Sequence, residues 1–242
     1  MRNILSIILI SSVIAACSKK SLPIPVSTTP PVTTTPNNNT PGSLTYLALG
    51  DSYTIGQSVA ASESFPFQLS ASLNAASYLT GQPDIIAVTG WTTGDLINAI
   101  NNRNLKDAQY DIVTLLIGVN NQYRGYSQTQ YRTEFVQLLK TAIAHSKAGK
   151  NHVFVVSIPD WGVTPYAEGR DRAQIGREID QFNAINKEET LKADVSYIDI
   201  TPSSRIAATD PTLIAPDGLH PSGKMYSQWV QQLMPVVKAS LK

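Results

Sequence analysis

Gly50-Asp51-Ser52-Tyr53 follows the apolar run Leu44 to Leu49, and Asp217-Gly218-Leu219-His220 lies near the other end of the chain. A serine hydroxyl becomes a useful nucleophile only when an imidazole accepts its proton, and a carboxylate must hold that imidazole in the right tautomer and orientation. Ser52, His220 and Asp217 are residues of those three types. Asp217 and His220 stand three apart, so they act as one local unit if the chain there turns as it does at the start of a helix. Taken singly, the residues have plainer readings. Asp51 and Ser52 are favoured helix caps, and Asp217-Gly218 is a common turn pair. The other two of the three histidines, His145 and His152, have no carboxylate at a suggestive spacing and are expected to be structural.

Short β-like runs alternate with longer amphipathic stretches. Strands are expected at Thr45 to Leu49, Asp84 to Val88, Ile112 to Ile117, His152 to Ile158 and Val195 to Ile200, with helices at Phe67 to Ala76, Gly94 to Asn101, Thr129 to Ser146, Asp171 to Leu191 and Ser222 to Ala239. In the last, Met225, Trp229, Leu233 and Val237 recur at the spacing of one helix face. Such alternation implies a parallel sheet covered on both faces, and ligands of open sheets bind beyond the carboxyl ends of the strands. Ser52 then follows the first strand, Gly90 the second, Asn120 the third, and Asp160 with Trp161 the fourth. Asp217 and His220 belong to a loop that can fold back over the same edge.

Four blocks in order carry a resemblance to the SGNH hydrolases, or GDSL esterases and lipases: Gly50-Asp51-Ser52-Tyr53, Gly90 within Val88-Thr89-Gly90-Trp91, Gly118-Val119-Asn120-Asn121, and Asp217-Gly218-Leu219-His220-Pro221. The similarity spans residues 44 to 242. It implies a flavodoxin-like three-layer α/β/α sandwich with a five-stranded parallel sheet, agreeing with the alternation above. It also implies Ser52 as nucleophile, His220 as base and then acid, Asp217 as orienting carboxylate, and an oxyanion hole made of the Ser52 N–H, the Gly90 N–H and the Asn120 side-chain amide. Glycine at position 90 lets backbone approach a ligand, and an asparagine amide donates without titrating. The third block departs from the usual Gly-x-Asn-Asp by placing Asn121 after Asn120.

Rival chemistries lack their motifs: there is no Gly-x-Ser-x-Gly elbow, no His-Glu-x-x-His and no Gly-rich phosphate loop. The expected activity is a serine carboxylic ester hydrolase with an acyl-enzyme and no cofactor or metal, acting on short acyl groups such as O-acetyl on glycans. A lysophospholipase-like acyl hydrolase is the alternative within the same mechanism, and a non-catalytic glycan-binding lipoprotein the alternative outside it. Trp91, Trp161 and Tyr123 fall near the strand ends, where an aromatic face stacks on a sugar or lines an acyl pocket.

The first residues read as an address. Arg2 supplies the positive start, Ile4 to Val13 a short apolar stretch, and Ile14-Ala15-Ala16-Cys17 resembles the bacterial lipobox, making 1–17 a lipoprotein signal peptide with lipid expected on Cys17. Cys17 is the only cysteine, which rules out an intramolecular disulfide. Residues 18–43 turn to Pro, Thr, Ser and Asn, a composition that cannot bury enough apolar surface to fold. They are expected to be a disordered tether reaching on the order of 80 Å at about 3.1 Å per residue, leaving 44–242 as the hydrolase domain. Ser18 after Cys17 resembles lipoproteins of the outer membrane, so a lipid-anchored place in the bacterial cell envelope is expected. The net charge is +1, and losing Arg2 with the leader reduces 19 basic residues to 18 against 18 acidic ones. No nucleic-acid surface is implied.

Overall fold

The computed structural model describes residues 42–242 apart from 104 and 106. The leader, Cys17 and the tether up to residue 41 lie outside the described residues.

In chain order the elements are β1 (Tyr46–Gly50), α1 (Ser52–Ile55), α2 (Phe65–Ala75), β2 (Asp84–Ala87), α3 (Thr93–Asn102), β3 (Ile112–Leu116), α4 (Val119–Tyr123), α5 (Gln128–Ala144), β4 (Val153–Val156), α6 (Arg172–Lys192), β5 (Ser196–Ile198), α7 (Thr201–Ser204) and α8 (Gly223–Ser240). The strands make one sheet in the order β2-β1-β3-β4-β5, and every neighbouring pair is parallel. Helix α2 packs on α8, while α5 packs on α3 and α6. The result is the three-layer α/β/α sandwich that the alternation of elements implied.

Every residue of β1, β3 and β4 is buried. Central strands covered by helices on both faces have no solvent side, so apolar residues run continuously instead of alternating. The outer strands β2 and β5 mix buried with half-buried positions. On α8, Met225, Trp229, Leu233 and Val237 form the expected buried stripe. Among the described residues no helix is long and apolar enough to cross a membrane.

Two strands stop earlier than their apolar runs. The Asn183 side chain takes over the Ile158 backbone, accepting its N–H at 2.8 Å and donating to its carbonyl at 2.9 Å. Ser157 Oγ accepts the N–H groups of Ile200 and Thr201 at 2.9 and 3.1 Å, which turns the chain out of β5. A side chain brought from elsewhere can thus end a strand whose own residues would continue it. Because all five strands run the same way, the loops that follow β1, β2, β3 and β4 emerge at one edge.

Candidate active site

At the end of β1, Asp51 caps α1 by accepting the Tyr53 N–H on Oδ1 at 3.0 Å. Ser52 is therefore the first residue of α1, almost wholly buried, and its own N–H has no partner among the described residues. That is the ordinary state of a first-turn amide, and it leaves a donor free for a ligand. The short helix closes at Gly56, whose φ of +75° suits glycine.

The Asp217–His220 loop is pinned from outside. An antiparallel bridge joins Ile214 to Pro221, the Ala215 N–H donates to the His220 carbonyl at 2.7 Å, and the Tyr166 N–H donates to the Gly218 carbonyl at 2.9 Å. The loop does not turn as the start of a helix. Asp217 Oδ1 accepts the backbone N–H of Leu219 and of His220, each at 3.0 Å, a side-chain turn of the kind aspartate forms. Helix α8 begins only at Gly223, capped by Ser222. The other oxygen, Oδ2, receives His220 Nδ1 at 2.5 Å and Ser58 Oγ at 2.7 Å. A carboxylate accepts only, so Nδ1 carries a proton, and in the neutral tautomer Nε2 is the nitrogen with the lone pair. Burial works against the charge on Asp217, but the bonds from His220, Ser58 and the two amides outweigh it and hold the carboxyl well below the usual range.

His220 is itself buried, its ring edge-on to Tyr53 at 5.5 Å between centroids. Tyr53 in turn rests against Trp229 of α8. No hydrogen bond joins Ser52 Oγ to His220 among the described residues. Such bonds are often long before substrate arrives.

Across the crevice, Asn120 and Arg124 lie at positions i and i+4, Asn120 on α4 and Arg124 at its cap. Asn120 Nδ2 donates to the Trp91 carbonyl at 2.9 Å, and Arg124 Nη2 donates to the Gly90 carbonyl at 2.6 Å. Both carbonyls of the Gly90-Trp91 pair are thus held, and the Gly90 N–H is left without a partner among the described residues. Gly90 has φ +84°, and a Cβ there would meet only Arg124 Nη2 at 3.7 Å. Backbone conformation, more than crowding, is what glycine supplies at this position. Asn121 points the other way. Fully buried, it accepts the Thr93 N–H at 3.0 Å and donates to Thr93 Oγ1 at 2.7 Å, while that hydroxyl donates to Glu134. It joins α4 to the start of α3 and adds no donor to the crevice.

Trp91 is half-buried against the core. Trp161 is buried, with Nε1 bonded to Gln122 Oε1 at 2.8 Å and its ring edge-on to Tyr123 and Tyr166. Tyr123 is partly exposed and hydrogen-bonds Tyr166 through the two hydroxyls at 3.2 Å. His145 and His152 bond the carbonyls of Ala108 and Ser240, both at 2.9 Å, as structural residues do. Among the described residues no group of three or more His, Cys, Asp or Glu side chains is placed to hold a metal ion.

Residues 48–228 match the GDSL-like lipase/acylhydrolase family. The chain belongs to that family. It is a carboxylic ester hydrolase of the GDSL type. No curated protein matches the sequence, but solved structures share the fold of this GDSL hydrolase. The psychrotrophic esterase EstA from Pseudoalteromonas sp., inhibited by monoethylphosphonate, is 18% identical with TM-score 0.62, covering 82% of this chain and 99% of its own. A lipolytic G-D-S-L protein from Veillonella parvula is 15% identical with TM-score 0.64, covering 81% and 99%. An acetylxylan esterase from Geobacillus stearothermophilus is 18% identical with TM-score 0.62, covering 81% and 95%.

Two supports in this GDSL hydrolase have no signal in the sequence. Ser58, at φ +68°, reaches Asp217 across 159 positions, and Arg124 reaches Gly90 across 34. A third residue, Asp51, was legible as a cap but not as a buried acid. It is fully buried, its Oδ2 has no partner among the described residues, and burial pushes its carboxyl up to about 7 against the pull of the Tyr53 N–H and its own N–H. An unfolded aspartate ionises near pH 4, so between about pH 4 and 7 the folded chain holds a proton on Asp51 that the unfolded chain has lost, and the contribution of Asp51 to stability falls as pH rises. Asp51→Asn cannot ionise in either state. Its urea midpoint relative to the unsubstituted protein should therefore rise from pH 4 to pH 7, and a difference independent of pH would show that Asp51 ionises normally.

Proposed function

We propose that Ser52, His220 and Asp217 perform a two-step serine ester hydrolysis. The observation that carries this reading is the pairing of Asp217 with His220 Nδ1, which leaves Nε2 as a base at the sheet edge where Ser52 begins α1. Ser52 Oγ attacks the ester carbonyl while Nε2 accepts its proton, and the imidazolium is stabilised by Asp217. The N–H groups of Ser52 and Gly90 and the second N–H of Asn120 Nδ2 stabilise the tetrahedral oxyanion. The alcohol leaves with the proton from Nε2, and water repeats the sequence on the acyl-enzyme.

Short acyl groups, such as O-acetyl on a glycan, fit this mouth better than lipid. The exposed large apolar residues among those described are Leu79, Leu191 and Ile206, and none lies in the loops that carry Ser52, Gly90, Asn120, Asp217 or His220. An exposed apolar patch is the mark of a surface that meets lipid. Trp91, Tyr123 and Tyr166 are partly exposed rings near the strand ends, with Trp161 packed against the two tyrosines. Lipidation of Cys17, with residues 18–43 as a tether, would hold the domain beside envelope glycans, on the outer membrane by the Cys17-Ser18 pattern. Cys17→Ser should then release the protein from membranes into the soluble fraction; continued membrane association would sink the anchor.

Hydrolysis of p-nitrophenyl acetate, butyrate and octanoate tests the chemistry. Turnover should vanish in Ser52→Ala and fall from acetate to octanoate; preference for octanoate would favour a lysophospholipase-like enzyme, and turnover independent of Ser52 would remove the serine mechanism. Asn120→Ala should lower kcat by about 10² to 10³, the usual cost of one oxyanion donor. Arg124 acts through the Gly90 carbonyl, so Arg124→Ala should lower kcat by less, about tenfold, with KM little changed and partial rescue by Arg124→Lys. A rise in KM alone would mean that Arg124 binds substrate instead of positioning Gly90.

A further inference from the structure

Arg170 lies against three rings beside the crevice. Its Cζ stands 5.3 Å from the centroid of Tyr123, 5.3 Å from that of Trp161 and 5.2 Å from that of Tyr166, and Nη2 donates to Tyr123 Oη at 3.3 Å. The rings are themselves held, Trp161 by Gln122 and the two tyrosines by each other. The chain on either side of Arg170 is equally set. Gly169 has φ +74°, the Arg170 N–H donates to the Ala167 carbonyl at 3.1 Å, and Asp171 caps α6 through the Gln174 N–H at 2.9 Å.

Two connections place this box at the rim of the crevice. Tyr123 lies three residues after Asn120 on α4, on the same side of that helix. Tyr166 donates its N–H to the carbonyl of Gly218, the residue after Asp217. The box therefore bridges the element that carries the amide donor and the loop that carries the acid and base.

A ring face attracts a cation without neutralising it. Among the described residues Arg170, like Arg172 and Arg177, makes no ion pair with a carboxylate, whereas Arg103, Arg124, Arg132 and Arg205 do. A guanidinium has five N–H donors in a rigid fork, and one is engaged here, by Tyr123 Oη. What remains is an exposed, positioned charge with free donors, the arrangement that binds carboxylate or phosphate oxygens at two points. If the acyl group is short, only the alcohol portion of the substrate can extend to the rim.

We infer that Arg170 is an anion-binding residue of the substrate crevice, and that the preferred esters carry a carboxylate or phosphate on their alcohol portion. This rests on the esterase reading and narrows its substrate class. Three acetyl esters of matched size test it: 4-acetoxybenzoate, 4-acetoxyphenyl phosphate and the neutral 4-acetoxybenzamide. The ratio of kcat/KM for an anionic ester to that for the neutral one should fall about tenfold in Arg170→Gln, the scale of one lost charge-assisted contact, and less in Arg170→Lys. Added salt should shrink the ratio in the unsubstituted protein. Whichever anion gives the larger ratio separates a carboxylated glycan from a phosphate-bearing alcohol. A ratio that stays the same in Arg170→Gln would overturn the proposal. Binding of 4-hydroxybenzoate to the Ser52→Ala protein, with and without Arg170→Gln, gives the same comparison by calorimetry without turnover. Binding that depends on Arg170 supports the subsite even if no ester is hydrolysed, and binding indifferent to Arg170 counts against it even if the esterase reading stands.

Discussion

Gly50 ends the ladder between β1 and β3 opposite Leu116, and a Cβ at that position would collide with the Leu116 carbonyl and the Thr54 side chain. The approach of these two strands fixes the relative height of the loops that leave them. Ser52 comes two residues after Gly50, and Asn120 four residues after Leu116, so the serine proposed as nucleophile and the amide proposed as donor rise side by side from neighbouring strands. Behind Asn120, Gly118 adopts φ +130°, with the space its Cβ would need filled by the Tyr131 ring. Tyr131 is buried and donates to the Ile117 carbonyl at 2.9 Å, so the core itself sets where α4 begins.

The enzyme treats two carboxyls near its serine in opposite ways. Asp217 gathers four donors and stays charged, which suits the orienting role proposed for it. Asp51 caps the helix that carries Ser52, yet burial favours its neutral form. Near Ser52, negative charge is thereby concentrated on the carboxylate that touches His220. The two arginines beside the site are held differently: Arg124 by the Gly90 carbonyl and Asp95, and Arg170 by a platform of rings and the Tyr123 hydroxyl.

Much of this is legible in the sequence. The strand and helix alternation specified a parallel sheet, because residues buried on both faces must be apolar throughout, and the β1, β3 and β4 runs show it. Met225, Trp229, Leu233 and Val237 marked the buried face of α8 by spacing alone. Short elements were not legible. Helices α1, α4 and α7 span four or five residues, too few for a period to register, and β4 and β5 ended where Asn183 and Ser157 intercept their backbones. The Asp217–His220 spacing was correct as a local unit, but a side-chain turn and an antiparallel bridge shape it, where the spacing suggested the first turn of a helix.

By itself, the sequence determined the residue types that chemistry requires and the order of the blocks that hold them, because local pattern records secondary structure and the sheet rule turns strand order into a shared edge. Only the tertiary structure decided which polar groups remain free for substrate. Ser58 on Asp217, Arg124 on Gly90 and the ring box around Arg170 join residues far apart in the chain, and their meeting depends on how layers pack. A hydrogen bond across 159 positions leaves no trace in local composition, yet such bonds fix how Asp217 and the Gly90 backbone are held.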